Sequence, residues 1–321
     1  MRPAVIICLI ILVSCGGNAP PPVPDNINSS ITGPVSLIFE NKISGRILTH
    51  DLLQPSGLAI DTRGDIYISD NGNHRIIKLD QNLKTIRDYG GYGTGMGRLQ
   101  NPNDLFVDRV LNLYVLDTGN RRVVHLDANL NFVEEIIPED DPEEIISTLT
   151  YYSGLAVSPM GELTVADYDN SRLIRMDNFN HFSRYIGDFG YGQGTLLNPK
   201  SLALDQDGNH YVADMGNKRI AVFDDYGNFI RQIGSQMLES PEAVAVGNNG
   251  LVWVSDSRLR TIMAFHNSGK LIFDGLKEMS PDTKLDNVQA LTVTPDGKLF
   301  VANTGNNEIL IYRIIYEANK D

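Results

Sequence analysis

An aspartate, an asparagine three residues on and an arginine five residues on recur along this chain. The copies are Asp70/Asn73/Arg75, Asp117/Asn120/Arg122, Asp167/Asn170/Arg172 and Asp214/Asn217/Arg219. A carboxylate and a guanidinium at fixed spacing make a charge-assisted hydrogen bond, stronger than a neutral one. A pair that returns in every copy reads as a structural clasp: the aspartate caps the turn that follows it, and the arginine bridges to a neighbouring blade's carboxylate or carbonyl. Other reactive side chains show little pattern. His50, His74, His125, His181, His210 and His266 form no His-x-His or His-Glu-x-x-His pair of the kind that holds zinc. Gly-x-Ser-x-Gly is absent, and Ser153-Gly154 lacks the strand–elbow–helix context of a hydrolase nucleophile. The Gly91–Gly97 run is followed by no Gly-Lys-Ser/Thr, so it is not a phosphate loop. Specific chemistry must therefore sit where the copies differ, and locating it requires the elements that carry them.

The anchor positions Asp70, Asp117, Asp167, Asp214, Asp256 and Asn303 are 47, 50, 47, 42 and 47 residues apart. A period in that range with strand-like patterning marks propeller blades rather than helical repeats. Each repeat opens with a short apolar run, such as Gly57–Ile60, Gly154–Val157 or Ala243–Val246, suited to an innermost strand buried on both faces. Asp61-Thr-Arg-Gly64 and Thr294-Pro-Asp-Gly297 supply tight turns, and a second turn such as Asn71-Gly-Asn73 leads to the third strand. Four hairpin-linked strands per repeat make one blade. The expected fold is all-β, a six-bladed β-propeller of four-stranded antiparallel blades over residues 35–321. The sixth repeat runs short of a fourth strand, and Val35–Glu40 has no partner, so the N-terminal strand is expected to close the last blade and remove two sheet edges.

These repeats resemble the NHL family, through the Asp-x-x-Asn-x-Arg pattern and the Gly-rich lead-ins Gly91–Gly97…Asn101-Pro102 and Gly190–Gly194…Asn198-Pro199. The resemblance spans about Val35–Tyr316. Blade five departs with Leu259 and Thr261, and blade six with Asn303 and Glu308. Some NHL propellers bind RNA through a basic face, but this chain has 27 basic against 40 acidic side chains, net −13. A phosphate backbone needs clustered positive charge, so no nucleic-acid partner is expected.

Residues 1–14 read as a targeting segment: Arg2, then the apolar run Ala4–Val13, too short to span a bilayer. Leu12-Val-Ser-Cys15 resembles a bacterial lipobox, which implies cleavage before Cys15 and lipidation of its thiol. The mature chain would then carry −14, 26 basic against 40 acidic side chains. Residues 15–34, rich in Gly, Pro, Asn and Ser, read as a flexible tether. The expected location is the bacterial cell envelope, with the propeller outside the cytoplasm and membrane contact through the lipid anchor only. Cys8 leaves with the signal, so the propeller has no disulfide and no cysteine nucleophile.

In an up-and-down blade the turn between strands two and three and the connector to the next blade share one end, here called the top. Residues just before each inner strand approach the axis there: Ser56, Asn103, Ser153, Lys200, Glu242 and Gln289. That ring is polar and differs from blade to blade, as a ligand-reading mouth would. The connector Glu134–Ile146 carries seven carboxylates in thirteen residues without EF-hand spacing. A monomeric scaffold binding an envelope protein, peptide or glycan is expected, with no cofactor, although calcium is the metal these oxygens would take. The alternative is a metal-dependent lyase or hydrolase at the channel mouth. Asn103, Asp104, Glu242 and Gln289 are its only candidate ligands near the inner strands, and three or more of these four and a histidine would have to converge within metal-bonding reach.

Overall fold

The computed structural model describes residues 35–138, 151–187, 190, 192–247, 249–279 and 284–316. The targeting segment, Cys15, the tether and the second half of the acidic connector lie outside the described residues. Six four-stranded antiparallel sheets are present. Their inner strands are Pro55–Ile60, Pro102–Val107, Tyr152–Val157, Pro199–Leu204, Pro241–Val246 and Val288–Val293. Each blade then steps outward through consecutive hairpins, as in blade one: Ile66–Asp70, Arg75–Leu79 and Thr85–Gly90. Inner strands such as Tyr152–Val157 are buried throughout, because one face meets the blade before and the other the blade after. Six apolar clusters fill the six gaps between neighbouring blades. The gap between blades one and two, for example, holds Tyr67, Ile76, Leu105, Val115 and Leu126. Each such side chain contributes about 1.5–3 kcal/mol by leaving water. Gly57 shows how close the inner strands come: a Cβ there would sit 3.0 Å from the Asn103 carbonyl oxygen and from the Asp104 Cα.

The N-terminal strand is the outer strand of blade six. Val35–Ser44 pairs antiparallel with Glu308–Tyr316, from Val35 opposite Tyr316 to Ser44 opposite Glu308, with a bulge between Phe39 and Asn41. It is four residues longer than the sequence run Val35–Glu40 indicates. A short hairpin, Arg46–Ile47 with His50–Asp51, follows it and leads into blade one.

The turn after the anchor residue is a single 3-10 turn in blades one, two, four and six, closed by a residue with left-handed backbone. In blade one Asp70 does not cap that turn's N–H groups; its carboxylate accepts from the Leu53 N–H (2.9 Å), from Asn73 Nδ2 (2.9 Å) and from Arg75 Nε (2.8 Å). Turn N–H capping is kept in blades three and five, by Asp167 for Asn170 (3.2 Å) and by Asp256 for Leu259 (3.0 Å). Arg75 reaches Asp88 on the outer strand of its own blade at 3.0 Å and the carbonyls of Ile47 and His50 in the lead-in. Arg122 repeats this with Glu135, Arg98 and Gly95, and Arg219 with Gln232, Thr195 and Gly192. The carboxylate partner is thus in the same blade, and only the carbonyls come from the incoming connector. Arg172 pairs with Asp167 at 3.3 Å and lies 3.8 Å over the Tyr185 ring. Burial pushes the Asp167 and Asp214 carboxyls above their ordinary value despite these donors, so the clasp sits in a dry place.

Candidate functional site

The six mouth residues converge. Ser56, Asn103, Ser153, Lys200, Glu242 and Gln289 line one small cavity at the top of the central channel, joined by Asp104, Tyr151 and Ser201. They do not offer equal chemistry. Ser56 and Ser153 are buried, and their hydroxyls donate to the carbonyls of Pro102 (3.2 Å) and Pro199 (2.6 Å), stitching each blade to the next. Asn103 Nδ2 donates to the Ser153 carbonyl at 3.0 Å.

The charged sector lies across blades three to five. Lys200 Nζ stands 3.7 Å from Glu242, 5.2 Å from the Tyr168 ring centre and 5.9 Å from that of Tyr151. The two rings meet edge to face at 5.7 Å. A cation above aromatic faces gains about 0.5–1 kcal/mol at a partly exposed site, so the tyrosines hold the lysine over the opening. Ser257 Oγ donates to Glu242 Oε1 at 3.1 Å, and the Tyr151 N–H donates to Asp169 at 2.8 Å, fixing the other two corners. Burial, and then the negative charge of Glu242, raise both phenols above their ordinary value; they stay protonated as hydrogen-bonding groups. The sector therefore offers one cation, one carboxylate and two aromatic faces to a ligand.

Tyr151 escaped the sequence reading, and Tyr168 stood only in a turn between strands two and three, which topology places at the top; the repeats carry a signal for both. Tyr151 occupies the slot where Gln54, Asn101, Asn198 and Asn287 take left-handed backbone, and Tyr168 follows its anchor aspartate where other blades carry Asn71, Thr118, Met215 and Ser257. A large aromatic in a slot of small or polar residues is the kind of departure that marks a site.

Below the mouth, Asp104 faces the channel. Its carboxylate accepts from the N–H groups of Leu105 (2.9 Å) and Leu155 (3.0 Å), yet burial raises its pKa to about 6. The channel continues through a cavity of about 180 Å³ whose lining includes Leu58, Leu105, Leu155, Leu202 and Leu291 beside Ser201, Gln289 and Thr292. It opens at the bottom into a wider cavity of about 490 Å³. Among the described residues no three of His, Cys, Asp and Glu come together as a metal set. No histidine lines the mouth cavity: His210 is buried between blades three and four, 3.2 Å from Thr164, and His125 stacks on Tyr114. The first half of the acidic connector ends in an exposed outer strand, where Glu134 contacts His125 and Glu135 contacts Arg122. Among the described residues no helix is long and apolar enough to cross a membrane.

Comparison with known proteins agrees with this architecture. The NHL repeat model matches residues 52–79, which run from the lead-in through the third strand of blade one. A streptogramin B lyase structure superposes with a TM-score of 0.62 at 12% identity, covering 86% of this chain and 98% of that one. A catalytically inactive virginiamycin B lyase from Staphylococcus aureus with quinupristin gives 0.60 at 15% identity, over 86% and 84% of the two chains. A structural genomics protein from Bacteroides thetaiotaomicron gives 0.61 at 13%, over 88% and 76%. At such identities the likeness is one of fold. No curated protein matches the chain. The chain is a six-bladed β-propeller carrying an NHL repeat.

Proposed function

We propose that this propeller is a non-enzymatic binding scaffold, lipidated at Cys15 and displayed on the bacterial cell envelope, whose top mouth reads a protein, peptide or glycan. The observation that carries it is the Lys200–Glu242 pair seated against Tyr151 and Tyr168. Four side chains from three blades meet there, outside the repeated clasp, around an open mouth. An aromatic wall beside one cation and one carboxylate suits a zwitterionic peptide end or a sugar face rather than an extended polyanion. The lyase activities named for the solved neighbours belong to those proteins. Asn103, Asp104, Glu242 and Gln289 line that cavity together, but the Lys200 ammonium stands 3.7 Å from Glu242 and already offsets its charge, which favours the binding reading.

The test is affinity capture from detergent-solubilised envelope with the full chain, repeated with Lys200→Ala and Glu242→Ala. A partner retained by wild type and lost by both variants supports the reading. In parallel, Cys15→Ser should release the protein from membranes after a high-salt wash. Continued membrane association of that variant would count against lipidation.

A further inference from the structure

The widest of the channel's described cavities, about 490 Å³, is at the bottom end, opposite the top mouth. That volume is in the range of about 300–1,000 Å³ typical of small-molecule sites. Its wall includes Phe106, Leu204 and Val246 from the inner strands beside Ser158 and Gln206, and its lip carries Val110 and Met160, each 76% exposed. Those two side chains occupy turn positions where the other four blades carry Arg63, Asp207, Asn249 and Asp296. The apolar lip is therefore confined to blades two and three.

The same turn breaks a second rule. Its last residue adopts left-handed backbone in all six blades and is glycine in five: Gly64, Gly161, Gly208, Gly250 and Gly297. In blade two it is Leu111, at φ 74°. A leucine there is strained, as are Leu83 and Leu130 at φ 64° and 59° in the outer turns of blades one and two. This turn presents Arg109 and Val110 at the cavity lip.

Charge at the lip is uneven. Asp108 and Asp205 are committed to their own turns. Asp108 accepts from the N–H groups of Val110 (2.9 Å) and Asn112 (2.8 Å) and from Asn112 Nδ2. Asp205 accepts from the Asp207 and Asn209 N–H groups, from Asn209 Nδ2 and from the Tyr211 hydroxyl. Arg109 is exposed and makes no side-chain hydrogen bond or ion pair among the described residues. A cavity with an apolar strip of Phe106, Leu204 and Val246 and one uncommitted cation at its lip is complementary to an apolar chain that ends in an anion.

We propose that the bottom cavity is a second binding site, distinct from the top mouth, for an amphiphile with an aliphatic chain and an anionic head, such as a fatty-acid carboxylate. The chain packs against Phe106, Leu204 and Val246, and the head pairs with Arg109. The same chemistry could arrive as a free acid or as a bilayer lipid, and the test separates the two.

The purified full chain is titrated with laurate and with dodecanol, read by displacement of 1-anilinonaphthalene-8-sulfonate fluorescence. Laurate is expected to bind and to displace the dye, with dodecanol about fivefold to tenfold weaker for want of the ion pair. Arg109→Glu should cut laurate affinity about tenfold without moving the melting temperature. Met160→Asp, also at an exposed tip, should weaken both ligands. Leu111→Gly should raise the melting temperature while weakening laurate, because it relaxes the turn that holds Arg109. Failure of wild type to bind laurate, equal binding of the alcohol, or indifference to Arg109→Glu overturns the proposal. Sedimentation of the Cys15→Ser protein, which lacks the lipid anchor, with phosphatidylglycerol vesicles then assigns the source: laurate-competed pelleting indicates a bilayer lipid, and laurate uptake without pelleting indicates a free acid. Pelleting without laurate uptake also overturns the cavity as the site.

Discussion

The Asn303 amide donates to the Glu308 carboxylate at 2.9 Å where other blades place an aspartate against an arginine. The clasp of blade six is the same clasp with its polarity reversed. Asn303 Oδ1 still accepts from the connector, at the Asp286 N–H (2.8 Å), as Asp70 does from Leu53 and Asp214 from Leu197. Its Nδ2 supplies the donor that Glu308 needs, and Glu308 also takes Lys42 of the closing strand at 3.2 Å. The departures of Asn303 and Glu308 from the repeat pattern are therefore a matched pair.

A matched pair predicts non-additive mutants. Asn303→Asp would set two carboxylates against each other at a position with no solvent exposure. We expect a loss of about 1–3 kcal/mol at neutral pH. Adding Glu308→Arg should restore most of it, since it rebuilds the arrangement of blades one, two and four. Urea unfolding of the two singles and the double gives the coupling. Additive losses would show that the two side chains do not act as a unit.

Repeated residues should govern stability, and mouth residues affinity. Arg122 is 7% exposed and ties Asp117 (2.9 Å) and Glu135 (2.6 Å) to two lead-in carbonyls. Its removal leaves Asp117 with the Gln100 N–H and Asn120, so Arg122→Ala should cost about 1–3 kcal/mol rather than the larger penalty of an abandoned buried charge. Lys200→Ala should leave thermal melting nearly unchanged and weaken the top-face partner. If Arg122→Ala abolishes binding at full stability, the division is wrong.

Acid should weaken the seam between blades three and four. His210 is buried beside the Arg175 guanidinium, and burial first, with that charge second, lowers its pKa from 6.5 to about 4. The unfolded chain takes up this proton first. The stability from neutral His210 is therefore present above about pH 6.5 and is lost as pH falls from there to about 4, up to about 3 kcal/mol. Asp104 acts oppositely: its native pKa of about 6 lies above the unfolded 3.8, so its contribution favours the fold in acid and fades as pH rises between those values. Denaturant unfolding between pH 4 and 7 should show His210→Gln flattening the acid loss and Asp104→Asn steepening it. Parallel curves for all three proteins would refute both assignments.

The blades were legible because their demands are periodic. Each inner strand must be apolar on two faces, and each turn needs its Gly or Asp, so the same letters return at the same spacing. The mouth ring was legible by the same logic, since Ser56, Asn103, Ser153, Lys200, Glu242 and Gln289 occupy one slot in six copies. What lay beyond reach was how each slot is spent. Nothing local distinguishes Ser153, whose hydroxyl is consumed by Pro199, from Lys200, which stands over two rings. The bottom cavity went unnoticed because its signal, Leu111 in a glycine slot, shows itself only once the turns are superposed.

Closure by the N-terminal strand should make the fold depend on the pairing of its two ends. Val35 is 1% exposed and packs with the blade-five and blade-six cluster that holds Trp253 and Ile314, while Ile43 packs with the cluster between blades six and one. One strand thus contributes to two inter-blade seams. Deleting residues 35–39 would remove Val35, expose the end of Glu308–Tyr316 as an edge and leave Ile43 in place. The expected result is a large drop in melting temperature with a broader transition, because the ring opens at one seam while the other five persist. Deleting residues 16–29 should leave melting unchanged. Hydrogen exchange of the first deletion should show protection lost first in Glu308–Tyr316 and in the neighbouring strand Lys298–Asn303. Equal melting of the two deletion proteins would mean that the ring holds without its closing strand.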